Sequence, residues 1–319
     1  MDGLELTIAR IEAAAARIGG IVHRTPVLTS RSIDALAGLE VHMKAEHLQK
    51  TGSFKARGAT NRIAMLDATE RAAGVVAVSS GNHAAAVAWA GARVGTSVDV
   101  FMPFDAPELK RRATATYGAR IHEFDRATAD RERLGLEWAA EHGAVMVHPF
   151  EDHDVMAGQG TAALELHDEV ELATLVVPVS GGGLIAGCAV ATQAMRPGCR
   201  IVGVEPAAAD DTARSFAAGE RVTVVPDTIA DGLTVPTPGA NTFAINRRLV
   251  DEIVTVTEEQ IVAAMVVLYE RTKQVVEPSG ATALAAVLAG SVASAGPIGV
   301  ILSGGNIELG RFAEFVRAG

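Results

Sequence analysis

The sequence predicts an α/β protein with two doubly wound, mostly parallel sheets, each in a domain of its own. Short apolar runs recur along the chain, and segments with helical spacing separate them. Apolar runs that alternate with helices in this way are typical of parallel strands. The 319 residues, of which 49% are hydrophobic, suffice for two domains that share a cleft.

The predicted strands fall into two series that meet near His148 and Pro149. An alternating run at 41–48 precedes both series. The first series is predicted at 75–79, 98–102, 119–123 and 144–147, and the second at 174–179, 200–204, 253–256 and 298–302. The longest predicted loop, 221–241, contains three prolines, and ordered loops of such length are often functional.

Composition excludes several classes of protein. The net charge of -10 and the pI near 5.4 argue against a nucleic-acid partner. Cys188 and Cys199 are too few for a disulfide framework or a thiolate metal site, which suits a reducing cytoplasm. The first sixteen residues are amphipathic, so no signal peptide is expected. The uncharged stretch 278–307 contains several glycines and predicts a buried helix, a turn and a strand, not a membrane span.

The stretch 51–59, TGSFKARGA, contains the candidate active-site residue, Lys55. It follows a predicted strand and a small glycine-bearing turn, and it opens a segment with helical spacing. A lysine at such a position faces a cleft, where desolvation lowers its pKa enough for a Schiff base with an aldehyde cofactor. A lone lysine at a helix start is more often solvated, so the assignment depends on the other motifs.

Two glycine-bearing stretches follow predicted strands, where ligands of open parallel sheets collect. Ser79-Ser80-Gly81-Asn82-His83 opens a helix whose free N–H groups suit a carboxylate, although the same sequence is also an ordinary helix cap. Ser180-Gly181-Gly182-Gly183-Leu184 would let backbone N–H groups converge on a phosphate. The stretch from Gly181 to Glu205 also fits a dinucleotide fingerprint, which leaves a nicotinamide-dependent dehydrogenase as an alternative.

Five motifs in this order resemble the fold-type II pyridoxal-phosphate enzymes, and most closely the threonine dehydratase, serine dehydratase and serine racemase group. They are SFKARGA at 53–59, SSGNH at 79–83, SGGGL at 180–184, EPSGA at 277–281 and SGGN at 303–306. Each motif alone is weakly specific, whereas the ordered set is strongly specific. The resemblance implies the tryptophan synthase β-like fold, with a large cofactor-binding domain of residues 1–48 and 148–319 and a small substrate-side domain of residues 49–147.

The resemblance also implies a role for each matching residue. Lys55 would carry pyridoxal 5'-phosphate as a Schiff base and act as the catalytic base. Ser303 would bond the pyridine nitrogen, and its neutral hydroxyl would favour elimination over chemistry that needs a long-lived carbanion. The remaining cofactor contacts would come from Phe54, Asn82, Gly181, Gly182, Gly183 and Leu184, and the substrate carboxylate would be surrounded by Ser79, Ser80, Asn82 and His83.

The activity implied is α,β-elimination from a β-hydroxy amino acid such as threonine, serine or 3-hydroxyaspartate, giving a 2-oxo acid and ammonia. A racemase of the same group would use Ser80 as a second acid/base opposite Lys55, although an unperturbed serine is a poor base. A catalytically silent ligand-binding protein is a third alternative. The predicted partners are a small amino-acid substrate and further copies of the chain, in a cytoplasmic homodimer or homotetramer without nucleic acid or membrane.

A divalent cation site is predicted at Glu205, the Ala209 carbonyl and Asp211. These groups follow the strand at 200–204 and offer two carboxylates and a backbone oxygen, which suit Mg²⁺ or Ca²⁺ completed by waters. The arrangement resembles the metal site of the serine racemase group. The local sequence alone slightly favours the alternative that Asp210 and Asp211 cap the following helix, and the resemblance favours the metal site.

Overall fold

The computed structural model describes residues 6–125 and 128–318, and it has the predicted α/β architecture with two sheets. The start of the amphipathic N-terminal segment, residues 1–5, lies outside the described residues. No helix in the described ranges is long and apolar enough to cross a membrane.

The larger sheet has six strands in the order β1-β2-β10-β7-β8-β9. All neighbours are parallel except β1 and β2, which are antiparallel. Its strands are β1 (Val27–Leu28), β2 (Val41–Lys44), β7 (Thr174–Pro178), β8 (Arg200–Pro206), β9 (Glu252–Val256) and β10 (Ile298–Ile301). Because β10 lies between β2 and β7, the two ends of the chain meet in one sheet. The predicted run 41–48 was too long, since a 3-10 turn at Glu46–Leu48 follows β2.

The smaller sheet has four parallel strands in the order β5-β4-β3-β6. They are β3 (Val75–Val78), β4 (Val98–Pro103), β5 (Arg120–Phe124) and β6 (Val145–Met146). β3 is buried along its whole length, as expected for a strand covered by helices on both faces. The strands predicted in the first series are therefore confirmed, with end points that differ by at most one residue.

Helices connect the strands and cover both sheets. Those preceding β7 are α1 (Ile8–Ile18), α2 (Arg31–Ala37), α3 (Lys55–Ala64), α4 (Ala68–Ala73), α5 (Asn82–Val94), α6 (Glu108–Thr116), α7 (Arg131–His142) and α8 (His153–Glu169). Those following it are α9 (Gly183–Met195), α10 (Asp211–Ala218), α11 (Ala240–Leu249), α12 (Glu258–Thr272), α13 (Pro278–Leu288) and α14 (Leu309–Ala318). The stretch 278–307 folds as the predicted helix, turn and strand, and α13 is buried almost throughout.

Glycines allow α8 to pack very closely against its neighbours. Gly160 on α8 faces Gly187 on α9, and Gly158 on α8 faces Gly58 on α3. A Cβ atom on Gly187 would lie 2.6 Å from the Gly160 nitrogen and closer still to the Met156 oxygen. The backbones of α3, α8 and α9 are therefore in contact. Of these helices, α3 begins at Lys55 and α9 begins in the glycine loop.

Replacing Gly187 with alanine is expected to destabilise the fold by about 3 kcal/mol, the upper part of the range for overpacked cores, because the opposing atoms are backbone and cannot turn aside. Urea unfolding of the purified variant measures the change. Gly198→Ala is the control, since nothing lies within 4 Å of a Cβ there. Equal midpoints for the two variants would contradict the close packing of α8 and α9.

Candidate active site

The predicted cofactor and substrate residues line a single cleft, whose volume is about 140 Å³. It lies beyond the carboxyl ends of β3, β7 and β10. The cleft is lined by the predicted residues Phe54, Lys55, Ser79, Ser80, Asn82, His83, Gly181, Gly182, Gly183, Leu184 and Ser303. The long loop 221–239 also reaches the cleft through residues 231–235, so the predicted loop lies at the site.

Lys55 is the first residue of α3, and a backbone hydrogen bond from the residue before it helps to hold the start of that helix. The Phe54 N–H donates to the Ser303 carbonyl at 3.0 Å, which joins the turn to the end of β10. The Lys55 ammonium nitrogen, Nζ, donates to the Pro149 carbonyl at 2.8 Å. Burial lowers the pKa of Lys55 to about 8. At neutral pH roughly a tenth of such an amine is uncharged, far more than for an ordinary lysine.

The glycine loop presents backbone N–H groups to the cleft. Gly182 has a φ of 89°, a left-handed conformation that favours glycine. Thr242 Oγ1 donates to the Gly181 carbonyl at 2.6 Å, and Asn246 Nδ2 donates to the Gly182 carbonyl at 3.3 Å. Since a trans peptide holds C=O and N–H on opposite edges, the N–H groups of Gly182 and Gly183 point away from α11. The first turn of α9 adds N–H groups without acceptors in the helix, which makes an anion site.

The loop 79–83 connects β3 to α5, which begins at Asn82. Ser79 Oγ accepts the Gly81 N–H at 3.2 Å, which shapes the turn. His83 is buried, and its Nε2 bonds the Val147 carbonyl at 2.8 Å. Burial, together with the charge of Lys55, lowers the pKa of His83 to about 3. The imidazole is therefore neutral and turned towards Val147, and the His83 backbone N–H is the better donor for a carboxylate.

Asn82 connects the loop to a charged group that the sequence analysis did not single out. Its Nδ2 donates to Glu277 Oε1 at 2.6 Å, which leaves a second amide hydrogen for a ligand. Glu277 is buried, and Lys110 Nζ lies 3.5 Å from its other oxygen. Lys110 also pairs with Asp231 at 2.6 Å, which spans the cleft from α6 to the long loop. Glu277 belongs to the EPSGA motif at 277–281, whereas no local pattern in the sequence indicated Lys110 or Asp231.

The remaining predicted residues form the floor of the cleft. Ser303 is 5% exposed, and its hydroxyl donates to the Ser279 carbonyl at 3.4 Å, a long bond that a better acceptor could replace. The Phe54 ring packs against the core beside β7, and Lys55 Nζ lies 5.1 Å from its centroid. The cleft thus combines an amine of lowered pKa, an anion-binding loop and an apolar wall. These features fit a flat cofactor that has an aldehyde and a phosphate.

The predicted metal residues lie outside the cleft. Glu205 is fully buried near the end of β8, and its carboxylate accepts the N–H groups of Thr212 at 3.2 Å and Ala213 at 2.9 Å. Burial and the neighbouring carboxylate of Asp211 raise the pKa of Glu205 to about 8. Burial raises the pKa of Asp211 to about 7, and its Oδ2 accepts no hydrogen bond from the described residues. Within those residues no cluster of three or more acidic, histidine or cysteine side chains could hold a metal.

The family described as pyridoxal-phosphate dependent enzyme matches residues 18–304. The chain is 45% identical over 306 residues to L-threo-3-hydroxyaspartate ammonia-lyase of Saccharomyces cerevisiae, which covers 95% of this chain and 94% of that protein. The structure of maize serine racemase has a TM-score of 0.93 at 44% identity and covers 98% of this chain and 97% of that one. The structure of a T.th. threonine deaminase has a TM-score of 0.88 at 44% identity and covers 95% and 99%. The family match includes both sheets and all the residues that line the cleft.

Proposed function

The chain belongs to the pyridoxal-phosphate dependent enzymes, and we propose that it is an ammonia-lyase that converts a β-hydroxy amino acid into a 2-oxo acid and ammonia. The observation that carries the proposal is the convergence of Lys55, the glycine loop and the loop 79–83 on one cleft. The relative from Saccharomyces cerevisiae, which is 45% identical, bears the name of such a lyase. Steady-state production of 2-oxo acid and ammonia by the purified enzyme tests it.

The residues of the cleft would hold the cofactor at five points. Lys55 would bind its aldehyde carbon, and the N–H groups of Gly181, Gly182, Gly183 and Leu184 would bind its phosphate. Ser303 would bond the pyridine nitrogen, Asn82 would bond the ring hydroxyl, and Phe54 would pack against the ring. When bound, pyridoxal phosphate supplies an electron sink for the electrons of the broken Cα–H bond.

The chain itself would bind the substrate and move its protons. The loop 79–83 would orient the carboxylate through Ser79, Ser80 and the N–H groups that open α5. The freed amine of Lys55 would take the proton from Cα, since its lowered pKa leaves it partly neutral. The electron pair of the Cα–H bond then forms the Cα=Cβ bond as the hydroxyl leaves with a proton as water. A water molecule later releases the nitrogen as ammonia, which leaves the 2-oxo acid.

The pKa of Lys55 predicts how the empty enzyme takes up its cofactor. Only the neutral amine attacks an aldehyde, so the rate of uptake is expected to rise with pH through about 8 and to level off above it. The measurement is stopped-flow absorbance of cofactor-free enzyme mixed with pyridoxal phosphate at each pH. Butylamine is the control, and its rate should keep rising until near the ordinary lysine pKa. A protein rate that parallels butylamine would contradict the lowered pKa.

Among β-hydroxy amino acids, we propose that one with a second carboxylate, such as 3-hydroxyaspartate, is preferred. The lining of the cleft carries three cations, Lys55, Lys110 and Arg131, against two carboxylates, Asp231 and Glu277, which both pair with Lys110. This excess of positive charge favours a substrate with a second carboxylate over serine and threonine. The test is kcat/KM for L-threo-3-hydroxyaspartate, L-serine and L-threonine. Arg131→Met should lower only the first value, and Arg133→Met on the outer surface of α7, paired with Glu137, is the matched control. Equal loss for all three substrates would remove Arg131 from substrate selection.

Two alternative activities have less support. Ser80 lines the cleft, but among the described residues no side chain accepts a hydrogen bond from its hydroxyl and so activates it as a base. We therefore propose racemisation only as a side activity, measured as D-serine formed from L-serine. A dehydrogenase that bound a dinucleotide at the stretch from Gly181 to Glu205 would need an accessible carboxylate to bind the ribose. Glu205 is instead buried, and its carboxylate accepts a backbone N–H of α10.

A divalent cation at Glu205, the Ala209 carbonyl and Asp211 remains a proposal. Two buried carboxylates with raised pKa values and an unbonded Asp211 oxygen would be stabilised by Mg²⁺ or Ca²⁺. The N–H bonds to Glu205 support the rival role of a helix cap. We expect either ion to raise the melting temperature of the holoenzyme, and Asp211→Asn to remove that rise. Asp210→Asn, which alters an ion pair with Arg214, is the control. If neither ion changes melting, the site has no cation.

We also propose the division into residues 49–147 and the remainder, because all four strands of the smaller sheet lie between residues 75 and 146. A homodimer or homotetramer in the cytoplasm is part of the same proposal. Sedimentation equilibrium measures the assembly, and a monomer at all concentrations would refute it.

A further inference from the structure

A cluster of charged side chains lies buried beside the helix that carries Lys55. Lys44 and Arg57 supply two positive charges, and Glu46 and Glu165 supply two negative charges, so the cluster is neutral. The side chains of Lys44, Glu46 and Arg57 are 0% exposed, and that of Glu165 is 15% exposed. None of these residues lines the cleft, and the proposed reaction does not use them.

Arg57 is the centre of this charge cluster. Its Nε and Nη2 donate to the two oxygens of Glu46, both at 2.8 Å. Its Nη1 and Nη2 donate to the two oxygens of Glu165 at 2.7 and 2.8 Å. Nη1 also donates to Thr161 Oγ1 at 3.1 Å, and Nη2 shares one of its two hydrogens with the His23 carbonyl at 3.3 Å. Every N–H of the guanidinium is therefore engaged, and two carboxylates are each held by two parallel bonds.

The cluster fixes three segments of the chain relative to one another. Arg57 lies on α3, two residues after Lys55, whereas Glu46 follows β2 and Glu165 lies on α8. Lys44 Nζ extends the cluster from β2, since it contacts Glu165 at 2.7 Å and the Thr25 carbonyl at 2.6 Å. Because the guanidinium of Arg57 is rigid and planar, the positions of the two carboxylates fix the position of the first turn of α3.

Stability alone does not require such a cluster. Desolvation of buried ions offsets most of their attraction, and well-packed apolar side chains often stabilise a fold equally well. Contacts between apolar side chains are not directional, so on their own they would allow α3 to slide or rotate. The amine of Lys55 must meet both the cofactor and the Cα proton, and a misplacement of about 1 Å at a reacting group can lower the rate by about 100-fold.

We propose that Arg57 is a positioning residue that sets the start of α3, and hence the amine of Lys55, through its bonds to Glu46 and Glu165. This inference rests on the proposed function for its kinetic effect only. Arg57→Lys keeps the charge but cannot make the two pairs of parallel bonds. We expect kcat to fall by about 10- to 100-fold with little change in KM, because the substrate-binding loop 79–83 is not part of the cluster.

A second readout does not depend on turnover. In cofactor-free Arg57→Lys, the pH at which Lys55 takes up pyridoxal phosphate at half its maximal rate should shift upwards, because a loosened α3 admits water to the amine. Arg62→Lys is the matched control. Arg62 lies on the same helix and also pairs across to the α8 region, with Asp152 at 3.1 Å, but it is half a helix further on and partly exposed. Its kcat and its uptake midpoint should match those of the wild type.

The outcomes separate the alternatives. A loss of kcat and a shifted midpoint in Arg57→Lys alone support the proposal. If the folded Arg57→Lys variant keeps both values, or if the two variants lose activity equally, Arg57 has no positioning role. Should Arg57→Lys fail to fold, Glu165→Gln takes its place under the same criteria, since it keeps its size and breaks the charged pairs. If the wild type does not convert hydroxyamino acids at all, the proposed function fails, while the uptake midpoint still tests the cluster.

Discussion

Replacing Lys55 with alanine is expected to lower turnover by at least about 10³-fold, because one change removes both the covalent anchor of the cofactor and the proposed general base. The fold should persist. Lys55 faces the cleft, and its one described hydrogen bond, to the Pro149 carbonyl, is replaceable by water. Burial of an amine that would otherwise be charged also costs stability, so its removal should not lower the unfolding midpoint when the two proteins are compared free of cofactor, which stabilises any folded protein that binds it.

The measurements are the visible absorbance of the purified protein, borohydride trapping followed by peptide mapping, and kcat. Wild-type protein should carry the reduced cofactor on the peptide that contains Lys55. Lys50→Ala is the control, since Lys50 precedes the same turn but does not line the cleft. Lys50→Ala should keep the absorbance and the activity. A Lys55→Ala protein that still carries a borohydride-trapped cofactor would place the anchor on another lysine.

The family and the fold were predictable because short stretches of sequence indicate both. The resemblance based on five motifs is confirmed by the family match over residues 18–304. Strands of a parallel sheet are covered on both faces, so they occur as apolar runs, and β3 and β10 are buried at every position. The motifs follow such strands, and the carboxyl ends of parallel strands converge, which brings distant motifs to one cleft.

The strand predicted at 41–48 shows where local patterns fail. Apolar and polar residues alternate along this run, yet all four residues of β2 are buried. Lys44 is accommodated there by Glu165, which lies far along the chain on α8, and the chain turns after β2 so that Glu46 can meet Arg57. Charged residues are rarely buried unless they are paired, and the pairing depends on tertiary contacts that no local window contains.

Dependence on tertiary contacts also explains why the sequence did not indicate some residues of the cleft. Lys110 becomes part of the site only because α6 brings it to Glu277 and to Asp231 of the long loop. Burial would lower the pKa of Lys110, but the two carboxylates outweigh that effect and raise it, so the ammonium stays charged. In sequence it is one lysine in a polar helix, and nothing in its neighbourhood distinguishes it from a solvated one.

The second large effect is expected at the glycine loop, where Gly182→Ala should weaken cofactor binding by about 10- to 100-fold. That factor corresponds to the loss of one or two hydrogen bonds to a charged phosphate. The φ of 89° at Gly182 is strained for any residue with a Cβ. The added Cβ would also lie 2.7 Å from Asn246 Nδ2 and 3.0 Å from Thr242 Cβ. These two side chains hold the loop carbonyls, so their displacement would turn the N–H groups away from the phosphate.

Equilibrium dialysis of pyridoxal phosphate against cofactor-free protein measures this loss. Gly95→Ala is the matched control because Gly95 also has a left-handed φ, 70°, at the end of α5, and nothing lies within 4 Å of a Cβ there. It should lose stability through backbone strain and keep its affinity for the cofactor. If Gly182→Ala binds the cofactor as tightly as Gly95→Ala does, the glycine loop is not the phosphate site. A loss of cofactor affinity in Gly182→Ala but not in Gly95→Ala would mean that the backbone of this loop, whose carbonyls are bonded to α11, binds the phosphate.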